Sequence, residues 1–286
     1  MKTLLAAIDL GPDSAAVVKR AAELAVGLKA ALHLVHVIDE AVALYEPMVE
    51  ISMRHRLQQG ATQALQALFD GLPGALKPDS EQHVLLGKPD RVLARKALEL
   101  KADLIVVGRH HIDPMQDLFV GTTAERLLRH CEVPLLMVGR DGGEPYRSLL
   151  AATDFSRSSH HALQAGLWLA PRAQVSLVHV FEPPLLGFLR HDSLHTDSLM
   201  AHQKARIERE VKEEMSHFLA DDAQNRIHTE IMAGEVRDCL LQAVERLQPQ
   251  LLVMGTHGRQ GISRLLVGSV AMSFLSAPPC DVLVSR

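Results

Sequence analysis

Leu149-Leu150-Ala151-Ala152-Thr153-Asp154 repeats, 145 residues later, the stretch Leu4-Leu5-Ala6-Ala7-Ile8-Asp9. Five of the six residues match, and three further matches follow in the same order. Leu34-Val35-His36-Val37 returns as Leu177-Val178-His179-Val180, Leu104-Ile105-Val106-Val107-Gly108 as Leu251-Leu252-Val253-Met254-Gly255, and Gly121-Thr122 as Gly268-Ser269. Chance likeness between apolar strands does not reproduce the polar and glycine positions. The chain is therefore read as a duplication, with one unit at 1–140 and the second at 147–286. Between them, Gly139-Arg140-Asp141-Gly142-Gly143-Glu144-Pro145 has the composition of a turn-rich linker. Its shortness predicts that the units pack against each other.

Around each quoted stretch, short apolar runs alternate with segments of helical period. In the first unit the strands fall at Lys2–Ile8, Ala31–Val37, Glu81–Leu86, Leu104–Val107 and Pro134–Val138. Helices fall at Ser14–Leu28, Met48–Phe69, Asp90–Leu100 and Thr122–His130. The second unit repeats the order, with strands near 148–153, 174–180, 226–232, 251–254 and 281–285. Near-continuous apolar strands separated by helices imply a parallel sheet covered on both faces. Right-handed crossovers then make each unit a doubly wound α/β domain, whose ligand site lies beyond the carboxyl ends of the strands. A five-stranded sheet of this kind leaves its last strand as an open edge. Leu135–Val138 and Val282–Ser285 are candidates to pair within one chain, which makes the molecule an intrachain pseudo-dimer. Further homodimerisation stays open.

Composition narrows the function. The 286 residues are 47% apolar and 22% charged, with a net charge of −4. Each half carries −2: 16 basic against 18 acidic side chains in 1–143, and 14 against 16 in 144–286. No basic field offers itself to nucleic acid, and 3% aromatics make a poor stacking platform for single strands. No apolar run is long enough for a transmembrane helix. The first seven residues look like the start of a secretory signal, but Asp9 ends the run and no small-residue cleavage site follows. Cys131, Cys239 and Cys280 form no disulfide framework. A reducing, cytoplasmic location is therefore expected, and Cys131 and Cys280, beside the last strands of the two halves, read as small buried hydrophobes rather than redox sensors.

The chemistry concentrates after the fourth strand of the second unit. Gly255-Thr256-His257-Gly258 is followed, after nine residues, by Gly268-Ser269-Val270 opening a helix. Glycines permit close backbone approach to phosphate oxygens and positive φ. The amides of Ser269 and Val270 lie at a helix N-terminus, where N–H groups and the helix dipole favour an anion. Arg259 and Arg264 either neutralise phosphate or sit as solvated loop residues. Walker-type and phosphoryl-transfer signatures are missing from the sequence.

On these residues, and above all on Val253 to Val284, the chain resembles the universal stress protein family in its tandem form. The resemblance spans essentially the whole chain and implies five parallel strands in the order 3-2-1-4-5. In nucleotide-binding members the glycine pattern holds the ribose and phosphates of ATP. An Asp after strand one meets the adenine or ribose side, and a Val after strand two contacts adenine. The implied site is Thr153, Asp154, Val180, Met254, Gly255, His257, Gly258, Arg259, Gly268, Ser269 and Val270, with Mg²⁺ as an accompanying ion. The first unit keeps Asp9, Val37, Gly108 and Gly121-Thr122 but has His111 where the second has Gly258. It is expected to bind nucleotide weakly or not at all; a different anion on Arg109, His110 and His111 is the alternative.

The expected function is a cytoplasmic, nucleotide-responsive stress protein acting on an unknown protein partner. A slow ATPase, or an interaction module holding AMP or a non-nucleotide ligand, remain the competing readings. His191 and His195 have helical metal-ligand spacing but read as part of a solvated segment. His36 and His179 read as core histidines with local partners. The charged helix Lys204–Leu219 reads as a solvated face laced by ion pairs.

Overall fold

The computed structural model describes residues 2–40, 51–109, 122–139, 144–181, 205–210, 213, 226–257 and 267–286. Side chains at 51–54, 78 and 122 lie outside that description. So do Gly258, Arg259, Arg264, His110, His111, His191 and His195. Residues 205–210 of the charged segment are helical.

The apolar runs of the first half become β1 (Lys2–Ala7), β2 (Ala30–Asp39), β3 (Ser80–Gly87), β4 (Leu104–Gly108) and β5 (Leu135–Val138). Between them run α1 (Ser14–Leu28), α2 (Ile51–Asp70), α3 (Pro89–Leu100) and α4 (Thr122–His130). The second half gives β6 (Ser148–Thr153), α5 (Arg157–Leu169), β7 (Gln174–Phe181), β8 (Ile227–Ala233), α6 (Val236–Leu247), β9 (Leu251–Gly255), α7 (Ser269–Ser276) and β10 (Asp281–Ser285). Pro89 opens α3, where its missing N–H costs nothing.

Among the described residues all ten strands form one sheet in the order β3-β2-β1-β4-β5-β10-β9-β6-β7-β8. Read from either end, each half runs 3-2-1-4-5. Pairing within each half is parallel, and the halves join by antiparallel pairing of β5 with β10, Met137 opposite Val282 and Leu135 opposite Val284. This is the intrachain pairing anticipated from the open edges, and it removes both edges at once.

The sheet is buried on both faces, as its unbroken apolar strands require. One face packs Leu4, Ala6, Leu32, Leu34, Ala151 and Val253 against α1, α2 and α5. The other packs Leu5, Ile105, Val107, Leu252 and Val284 against α3, α4, α6 and α7. Both clusters cross the junction, so the halves share a core.

A buried polar latch fastens one side of that junction. Asp281 of β10 accepts from the Gly139 amide at 2.9 Å and from the Tyr146 hydroxyl at 2.6 Å. It also pairs with Arg20 Nε of α1 at 2.9 Å. Arg20 donates to the Glu144 carbonyl at 2.8 Å and lies over the Tyr146 ring. Burial, and then the Asp281 carboxylate, hold the Tyr146 phenol well above its ordinary pKa, so it stays a donor. Gly139 is required here because a Cβ would collide with the Cys280 carbonyl. In the other half the matching positions are Ala165 and Pro134, so the latch has no symmetry mate.

Candidate functional site

An aspartate follows both β1 and β6, and the structure shows what each does locally. Asp9 Oδ1 accepts from the Gly11 amide at 2.8 Å and Asp154 Oδ1 from the Ser156 amide at 3.0 Å. Each is an Asx turn that bends the strand toward its helix. The intervening residues, Leu10 and Phe155, are both held at φ 62°, a left-handed conformation costly for such side chains. Ser156 then caps α5 by accepting from the Ser159 amide. His36 and His179 act alike: each Nδ1–H donates at 2.8 Å to the carbonyl just before the aspartate, of Ile8 and Thr153 respectively. The histidines are therefore local braces of the strand ends, as their sequence setting suggested.

In the second half these strand ends surround a cavity of about 320 Å³. Thr153, Asp154, Val180, Met254, Gly255, His257, Gly268, Ser269 and Val270 all line it, together with Ser159, Thr256 and the apolar Val178, Val236 and Leu240. The structure thus gathers every described residue of the implied site. Missed from sequence were Ser159 and the α6 residues, because their approach depends on how helices lie over the sheet.

Two glycines differ from expectation. Neither Gly255 nor Gly268 has a positive φ; Gly268 sits at φ −60°. Gly255 is needed because a Cβ would lie 2.6 Å from the Ser159 amide nitrogen and from Ser158 Oγ. It lets the α5 N-terminus press onto β9, which is a packing demand independent of any ligand. At Gly268 a Cβ would come 3.1 Å from the Thr256 carbonyl, which also accepts the Gly268 amide at 2.7 Å.

Gly268 is the N-cap of α7 and offers no side chain to the first-turn amides. The helix start therefore presents donors toward the cavity. His257 is fixed nearby: its carbonyl accepts from Ser158 Oγ at 2.6 Å, and its Nδ1 lies 2.7 Å from Thr256 Oγ1. Its Nε2 is buried without a hydrogen-bond partner among the described residues. Burial, then the Arg286 charge, lower its pKa, so the ring is neutral at pH 7.

The first half has its own cavity, about 340 Å³. Among the described residues its wall carries Asp9, Asp39 and Glu125 against one cation, Arg109. Glu125 is held by Arg129, and Arg109 lies 3.6 Å from Asp13. Met272, Leu275 and Ser276 of α7 complete this wall from the opposite half.

All three cysteines are buried and unbridged. Burial raises the pKa of Cys131 and Cys239, which keeps both as thiols.

The duplicated fold has counterparts among known proteins. The sequence model of the universal stress protein family matches residues 1–139 and again 145–286. The chain belongs to this family, in its tandem form. It is similar to universal stress protein A homolog 1 of Coxiella burnetii, 35% identical over 138 residues that cover 48% of this chain and 95% of that protein. It is similar over its whole length to universal stress protein E of Escherichia coli K12, at 23% identity with 94% of that protein covered. A universal stress protein from Archaeoglobus fulgidus shares the fold, with a TM-score of 0.71 at 18% identity, covering 99% of this chain and 98% of that one. No helix among the described residues is long and apolar enough to cross a membrane.

Proposed function

We propose that the unit at 147–286 binds ATP, accompanied by Mg²⁺, and that the unit at 1–140 is a copy that has lost this capacity. The protein is then a nucleotide-responsive sensor or scaffold of the cytoplasm, read by a protein partner rather than turning over a substrate.

The observation that carries the reading is the start of α7, an uncapped helix N-terminus facing a cavity at the carboxyl ends of parallel strands. Gly268, Ser269 and Val270 receive the phosphates there, where amides and helix dipole favour negative charge. Val180 and Met254 offer an apolar wall to the base. Asp154, with one oxygen committed to its turn, takes the nucleoside side together with Thr153. Gly255 and His257 line the cavity; Gly258 and Arg259, outside the described residues, are given to the phosphate side by the family resemblance alone. Asp154 is the one carboxylate in the described wall of this cavity. In the first unit three carboxylates share the described part of the wall, and like charge opposes a polyphosphate.

The test is to release bound ligand from purified protein by heat, identify it by chromatography, and repeat with Gly258→Ala/Gly268→Ala. The reading expects ATP from the wild type and none from the double variant. AMP in its place would recast the site as a monophosphate pocket. No nucleotide, and no response to added ATP, would favour a pure interaction module.

A further inference from the structure

The outer edge of the first half carries a side-chain cluster that a nucleotide has no use for. Strands β2 and β3 run parallel with His33 opposite Glu81 and Val35 opposite His83. The period of two then puts His33, Glu81 and His83 on one face, the face covered by α3. Their donor atoms converge. His33 Nδ1 and His83 Nε2 are 3.2 Å apart, and Glu81 Oε2 lies 3.4 Å from the latter and 3.7 Å from the former. The imidazole rings stack, 5.4 Å between centroids.

These separations match a known shape. Ligand atoms about 2.0–2.1 Å from a tetrahedral zinc ion stand roughly 3.4 Å from one another. The three atoms therefore outline one face of such a tetrahedron before any ion arrives. Two imidazoles and a carboxylate form a borderline nitrogen–oxygen set that suits zinc among available divalent ions. Glu81 is two-thirds exposed, which leaves the fourth position to water.

We propose that His33, Glu81 and His83 bind one Zn²⁺ ion per chain. The second half has no counterpart, because its matching positions carry Ser176, His228 and Glu230. Glu230 is committed to Arg246 at 2.6 Å. Lys96 of α3 stands within electrostatic reach of both rings and pairs with Glu99 at 3.7 Å. Its charge opposes the cation, so the affinity is moderate and Lys96→Met tightens it.

The chain holds 16 histidines, so the test rests on differences between variants. Full-length protein is titrated calorimetrically with Zn²⁺, and Co²⁺ is used as a visible-spectrum probe. The wild type should show one saturable equivalent with tetrahedral Co²⁺ absorption. His83→Ala should lose it and His228→Ala should keep it. Loss of an outer partner of a ligand alone costs about 10–100-fold in metal affinity, so Glu81→Gln should weaken binding at least about tenfold. Because Glu81 is exposed, that variant keeps the fold and decides the matter if His83→Ala unfolds. Equal binding by wild type and Glu81→Gln, or no saturable zinc binding by the wild type, would overturn the proposal.

Discussion

The two halves agree where the backbone has a demand to meet and part where it has none. Both hold a large residue, Leu10 or Phe155, at φ 62° behind a turning aspartate. Each also braces the preceding carbonyl with a histidine. Gly87 and Gly234, at φ 140° and 151°, open the third crossover alike. Their cavities, by contrast, share a size but not a chemistry. Among the described residues one has three carboxylates and a wall borrowed from the opposite half; the other has a single carboxylate and an uncapped helix start. A duplicated scaffold is conserved by its own geometry, whereas a site drifts unless a ligand holds it.

The comparison can be broken most severely at the junction. Asp281→Ala should destabilise the whole chain by about 2–3 kcal/mol, because it leaves the buried Gly139 amide and Tyr146 hydroxyl without their acceptor and takes one carboxylate from Arg20, which keeps Glu23 at 3.0 Å. The matching residue, Pro134, has no such latch, and Pro134→Ala should cost far less. Urea unfolding compares them, and similar losses would mean the latch does not fasten the halves.

Equivalent glycines give a finer contrast. Gly255→Ala drives a Cβ into the α5 backbone, whereas at Gly108 it meets a single Val17 methyl at 2.8 Å. Overpacking costs typically 1–3 kcal/mol, so about 3 is expected for Gly255→Ala and about 1 for Gly108→Ala. Thermal denaturation of both variants checks the order, and a reversal would mean that α5 yields more easily than the Val17 side chain.

The smallest effect is that of pH on His257. Its folded-state pKa lies below the ordinary 6.5 because of burial and the Arg286 charge. Between the two values the unfolded chain binds more protons, so this contribution is complete above about pH 6.5 and is lost as pH falls below it. The melting temperature should drop between pH 7.5 and 5.5 by slightly more in the wild type than in His257→Gln. An equal drop would mean the ring titrates as it does in water.

The duplication and the alternation of strands and helices were legible because apolar strands and their polar end-residues recur at a nearly fixed offset; the strand order came from the family resemblance, and the β5–β10 junction from the open edges. What was not legible depends on residues that meet only after folding. Nothing in the sequence around Arg20 or Asp281 marks the two as partners. His33 and His83 share a face only once the register of β2 and β3 is known. Spacing revealed Gly255 but not its reason, since a ligand contact and a helix pressed onto a strand both call for the same missing Cβ. The cavity wall from α6 and the reach of α7 into the first half depend likewise on helix placement.

The central claim is that one of the two units binds nucleotide. Isothermal titration of Mg²⁺–ATP into nucleotide-stripped protein tests it most directly, with Gly258→Ala/Gly268→Ala run in parallel. The account predicts one ATP per chain and none in the double variant. Two per chain, or one that survives the double substitution, would contradict it.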